Sequence, residues 1–172
     1  MIMAPYLRKL VLTAHVTSSV GWVGAVASFL ALAVVGLTSQ DIQIVHAAYL
    51  AMELIAWFVI VPLSVASPLS GIVQSLGTTW GLFRHYWVLI KFLMTIPCTL
   101  VLLLHMQPIS RLGRLAAETT LSNGDFSRLR IQLVADAGVA LLVLLVATTL
   151  SVYKPQGLTR YGARTQRALL RP

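Results

Sequence analysis

Six histidine, lysine or carboxylate side chains fall within the long apolar runs of this chain: His15, His46, Glu53, Lys91, His105 and Asp136. Lys91 and His105 share one run, 86–108, and stand fourteen positions, two heptads, apart. On a helix that spacing puts both on nearly one face, about 21 Å apart along the axis. A lysine in hydrocarbon costs at least about 2.5–3.5 kcal/mol on insertion scales, so Lys91 is expected to face protein, water or a ligand. Side by side, the apolar runs sort these groups into two layers. His46, His105 and Asp136 fall near one membrane boundary, His15 and Lys91 near the other, with Glu53 between them.

Each layer has its own chemistry. Two imidazoles from facing helices at one level are what a six-coordinate haem iron takes, which makes His46 and His105 the first candidates for axial ligands to haem b. Interfacial histidines that simply hydrate are the plain alternative, and copper or zinc held by His46 and His105, with Met106 and Asp136 beside them, is a third. His15 reads as a substitute haem ligand, a proton relay with Ser18 and Ser19, or a buried histidine bonded to a neighbouring helix. Lys91 would neutralise a haem propionate or another carboxylate. Otherwise it pairs with Glu53 or snorkels to the interface. Asp136 alone reads as a polar helix–helix contact.

The elements that must position these groups are four apolar runs, at about 10–37, 44–69, 86–105 and 133–153. Each is long enough to cross a hydrocarbon core of roughly 30 Å at about 1.5 Å per residue, and the connections are short. The expected fold is all-α, a single four-helix transmembrane bundle with no separate soluble domain. The first run is too long for a signal-peptide core and reads as a retained span. His15, Ser18, Ser19 and Trp22 share one of its faces, and Gly21, Ala25 and Ser28 form a strip suited to close helix contact. Pro62 and Pro68 predict a loosened second span, and Pro108 a stop to the third, followed by a short amphipathic helix over 109–121. Trp80 and Trp87 are expected as interfacial anchors, and 154–172 as a basic tail on the membrane surface.

Composition supports this reading. The chain is 58% hydrophobic and 10% charged, with mean hydropathy +0.83, whereas ordinary globular chains are about 25% charged. The net charge of +8 flanks the spans, so anionic lipid headgroups rather than nucleic acid are the expected partners. Lys and Arg are denser at the termini and the second loop than on the opposite side, which places both termini in the cytoplasm. The single Cys98 rules out an internal disulfide. No nucleophile triad, phosphate-binding glycine loop or zinc-protease pattern occurs, so hydrolase and nucleotide-driven readings have no support.

The first span reads H-x6-W-x-G from His15 to Gly24, and the third reads W-x3-K from Trp87 to Lys91 with a histidine at its far end. This pattern resembles small bacterial multi-helix membrane families: an uncharacterised four-helix family, and more distantly the copper-resistance D and membrane protoporphyrinogen-oxidase-like families. In the last of these a first-helix histidine and a third-helix lysine are associated with haem binding or activity. The resemblance implies those roles for His15 and Lys91. The expectation is thus a haem b-binding protein of the bacterial inner (plasma) membrane, redox-active or in a haem pathway, exchanging electrons with quinone or a partner protein and able to form homo-oligomers. The alternative is a non-enzymatic subunit, or a copper- or zinc-handling protein whose buried charges serve packing.

Overall fold

The computed structural model describes residues 3–77, 85–117, 125–153 and five tail positions, 157, 159, 160, 162 and 163. Five α-helices and one π-helical turn make up four spans. Helix α1 (Pro5–Thr38) opens with proline at its first turn, where no backbone N–H is missed. Helix α2 (Ile42–Ile55) starts on Asp41, whose carboxylate accepts from the Gln43 N–H at 2.9 Å. A π turn (Ala56–Ile60) joins it without a break to α3 (Val61–Gly77). Helices α4 (Tyr86–Ala117) and α5 (Asp125–Tyr153) complete the set. All four spans are long and apolar enough to cross a membrane. Each turns large apolar side chains outward, among them Phe58, Leu93, Leu104 and Val139, all more than half exposed. An outer surface of this kind is solvated by lipid rather than water.

The α2–α3 span packs between α1 and α4, and α5 closes the ring against α4 and α1. The Met3 N–H bonds the Gly77 carbonyl and the Tyr86 N–H bonds the Gly157 carbonyl. The starts of α1 and α4 and the ends of α3 and α5 therefore lie at one end of the bundle, here the terminal end. Packing is dense at the far end. There Trp22, Val26 and Phe29 of α1 meet Tyr49, Met52 and Ala56, with Met106 and Ile109 of α4 and Leu133 and Ala137 of α5. Gly36 permits the α1–α2 contact: a Cβ there would lie 2.8 Å from the Tyr49 ring.

Two expectations are corrected and one is met. Helix α4 runs through position 108 to Ala117 instead of stopping, so residues 109–117 belong to it and not to a separate amphipathic helix. Met106 and Ile109, one on each side, are both buried in the core, and their packing outweighs one lost hydrogen bond. The second span is loosened before Pro62, as expected, and continues unbroken to Gly77, past both prolines. The Val61 N–H reaches five residues back to the Ala56 carbonyl, and this wider turn directly before Pro62 makes room for its ring. The tail is not simply a surface segment, because Thr159 and Gly162 are buried. Trp80 and residues 118–124 lie outside the described residues.

Candidate functional site

Below Trp22 the core gives way to a cavity of about 440 Å³ in the terminal half, walled by α1, α3, α4 and α5. That volume lies within the roughly 300–1,000 Å³ of small-molecule sites. Its lining is mainly apolar and aromatic, with Trp22, Trp87 and Phe92 among the large rings. The polar groups include His15 and Ser19 from α1, Ser67 and Gln74 from α3, Lys91 from α4 and Ser151 from α5. His15 and Lys91, assigned to one depth by counting along the two spans, share this cavity. Trp87, expected as an interfacial anchor, lines it as well.

The imidazole of His15 is fixed from across the helix interface. Its Nδ1 lies 3.0 Å from the Ser67 carbonyl and 3.1 Å from the Ser70 hydroxyl. A carbonyl only accepts, so Nδ1 carries the proton and the Nε2 lone pair is left for another partner. The Ser70 hydroxyl is itself spent on the carbonyls of Ala66 and Ser67. The Ser19 and Ser67 hydroxyls meet at 2.8 Å and tie the same two helices one turn on. This close packing needs Gly71, where a Cβ would stand 3.1 Å from His15 Cε1 and 3.6 Å from Phe92. Gly71→Ala is expected to displace the His15 ring. Overpacking of about 1–3 kcal/mol is partly offset by alanine's advantage in a helix, about 0.8–1 kcal/mol. Nitrogen NMR of the imidazole checks this: a clear shift at His15 with little loss of thermal stability is the expected pair of results.

Lys91 donates to the Ser151 hydroxyl at 2.6 Å, and Ser151 passes its own proton to the Ala147 carbonyl at 2.8 Å. The alternative of an ion pair with Glu53 is not realised, and no acid lies within ion-pair distance of Lys91 among the described residues. An ammonium has three N–H donors. One is used on Ser151, and the same cation sits beside an apolar cavity. A carboxylate or phosphate there would complete its electrostatics.

The far-end layer is arranged differently from the expected histidine pair. His105 donates from Nδ1 to the Val101 carbonyl at 2.8 Å, on its own helix. Its Nε2 is turned to α5, 3.2 Å from the Gln132 amide nitrogen and 3.3 Å from Asp136 Oδ2. The Asp136 approach has the distance of an ion pair without the alignment of a hydrogen bond. His46 lies on α2 with its Nε2 buried and unbonded, and no hydrogen bond or ion pair joins it to His105. Among the described residues no group of three or more His, Cys, Asp or Glu side chains stands together as a metal site. Missed from the sequence was Arg130, counted as a loop charge. It lies in the second turn of α5, its guanidinium 5.5 Å over the ring of Tyr49. No signal short of the contact itself distinguishes it from the neighbouring Arg128.

Compared with protein-family models, with curated proteins and with solved structures, the chain finds no match.

Proposed function

We propose that this is a small multi-pass protein of a bacterial plasma membrane, both termini cytoplasmic, that holds haem b in the terminal-end cavity. The observation that carries the reading is the meeting of His15 and Lys91, from two different spans, in one largely apolar cavity. In this assignment the His15 Nε2 binds iron. Its Nδ1–H donation to the Ser67 carbonyl sets the tautomer and raises the basicity of the ligating nitrogen. Lys91, backed by Ser151, would take a propionate, and Trp22, Trp87 and Phe92 would give the porphyrin apolar contact. Haem b, when bound, supplies one-electron chemistry.

His46 and His105, the first candidates on sequence grounds, are less well served by geometry. Ligation through His105 would require its Nε2 to leave Gln132 and Asp136. No second histidine lines the cavity among the described residues. A site with one imidazole favours a haem-handling or haem-pathway role over an electron carrier built on two.

The test is a reduced-minus-oxidised visible spectrum of detergent-purified protein expressed with ample haem, with haem and metal content measured on the same sample. The expected result is a stoichiometric Soret band that His15→Ala removes and His105→Ala leaves in place. Loss with His105→Ala and retention with His15→Ala would return the site to the far end. A colourless parent protein would remove haem altogether, and copper or zinc in that sample would move the site to His105 and Asp136.

A further inference from the structure

Exposure around the cavity is one-sided. The lining residues of α3 and α4 are buried or half-buried, and the exposed ones all belong to α1 and α5: Leu12, Val16 and Val20 on one, Thr148 and Val152 on the other. Val20 is 62% exposed and Val152 72%, so both stand on the outer surface while still bordering the cavity. Val16 and Val20 are one turn apart, as are Thr148 and Val152, so each helix contributes a short vertical edge. Between neighbouring spans such an opening faces the acyl chains of the leaflet at the terminal end. Among the described residues its rim carries no charge. The one cation, Lys91, is held at the α5 side of the cavity by Ser151, the residue directly before Val152.

We infer that the cavity is filled from within the membrane, through the slot between the terminal-end halves of α1 and α5, by an apolar molecule whose carboxylate comes to rest on Lys91. This rests on reading the cavity as a binding site and narrows its ligand class to membrane-dissolved carboxylates, of which haem and a fatty acid are two sources. A carboxylate passing Val152 meets the two N–H donors that Ser151 leaves free. The apolar body then fills the space between His15, Trp22 and Phe92. Among the described residues no charged group stands at this mouth to draw in a water-borne anion.

The experiment uses the full chain in phosphatidylcholine nanodiscs with Trp57→Phe and Trp80→Phe, so that fluorescence comes from Trp22 and Trp87, the two cavity tryptophans. The probe is dibromostearic acid added to the bilayer, with dibrominated phosphatidylcholine as the control lacking a free carboxylate. Saturable quenching by the acid is expected, with half-saturation raised about tenfold or more by Lys91→Met, in line with truncating one partner of a charge pair. Val16→Phe with Val20→Phe should slow its onset about tenfold. Thr148→Phe, on the opposite edge, should do the same, and these exposed sites tolerate bulk without touching the core. Equal quenching by acid and phospholipid, unchanged by Lys91→Met, would overturn the carboxylate site. Parent-like rates in both plugged proteins would overturn the slot. Haem transfer from haem-loaded vesicles separates the two readings. A plugged protein that takes up haem at the parent rate keeps the haem site and loses the slot, whereas quenching by the acid with no haem uptake keeps the slot and loses haem.

Discussion

Lys91→Met should make the protein more stable and worse at its task. The ammonium is more than half buried within a span, with one neutral hydroxyl for a partner and no counter-ion among the described residues. A lysine at mid-helix costs about 2.5–3.5 kcal/mol on insertion scales relative to an apolar residue. Methionine has a similar length and no charge, so it fills the same channel beside Ser151 and Phe92. The predicted gain is about 1–2 kcal/mol, reduced from the insertion figure because Lys91 lies near one end of its span and keeps a hydrogen bond. Thermal melting in detergent would read this as a higher Tm. Binding of a carboxylate ligand should fall about 30- to 100-fold, corresponding to roughly 2–3 kcal/mol for a lost charge-assisted contact. The opposite signs are the point of the test. A lysine kept for packing would give lower stability on substitution, and a snorkelling lysine would change neither quantity. Only a cation held in readiness for an anion gives a rise in one and a fall in the other.

The same residue shows how far the sequence could be read. Counting from the start of each span was enough to put His15 and Lys91 at one depth, because helical rise is fixed and both spans begin at the same boundary. Whether they shared a space could not be counted, since that depends on how each helix is rotated about its axis. Rotation is set by packing details such as Gly36 against Tyr49 and Gly71 against His15, which leave little trace in hydropathy. Rotation also bears on the far-end pair. His46 and His105 lie toward one end, and His105 is turned to α5 and bonded to Gln132. Gln132 is a neutral residue and drew no attention in a search for charge. The prolines misled at Pro108 because local propensity is weak against packing on both sides, as Met106 and Ile109 provide.

Rotation is also why the π turn at Ala56–Ile60 matters, and it gives the second large effect. Met52, Ala56, Ile60 and Ser64 are all at most 2% exposed and follow one another at intervals of four. At about 100° per residue each interval overshoots a full turn by about 40°, so three accumulate to about 120°, close to one residue's rotation. A regular helix could not keep all four on one face. The π turn takes up the extra residue and leaves α2 and α3 in phase, so that Tyr49 faces the core above while Ser67 still meets His15 below. Deleting Phe58, which is 76% exposed to lipid, should therefore be tolerated, above all when combined with Pro62→Ala to relieve the ring the bulge accommodates. The turn becomes ordinary α-helix and both faces stay where they were, at a loss of about 1–3 kcal/mol for the altered turn. Deleting Val65, also exposed and only seven positions further on, has no bulge to absorb it. Everything from there to Gly77 turns by about 100°, which takes Ser67, Gly71 and Ser75 off the α1 interface and breaks the His15 contact. That protein should fail to give a monodisperse folded species, while the Phe58 deletion melts cooperatively and retains ligand binding. Equal damage from the two deletions would mean that the π turn does not set the phase of this span, and the fixed orientation of His15 would then need another cause.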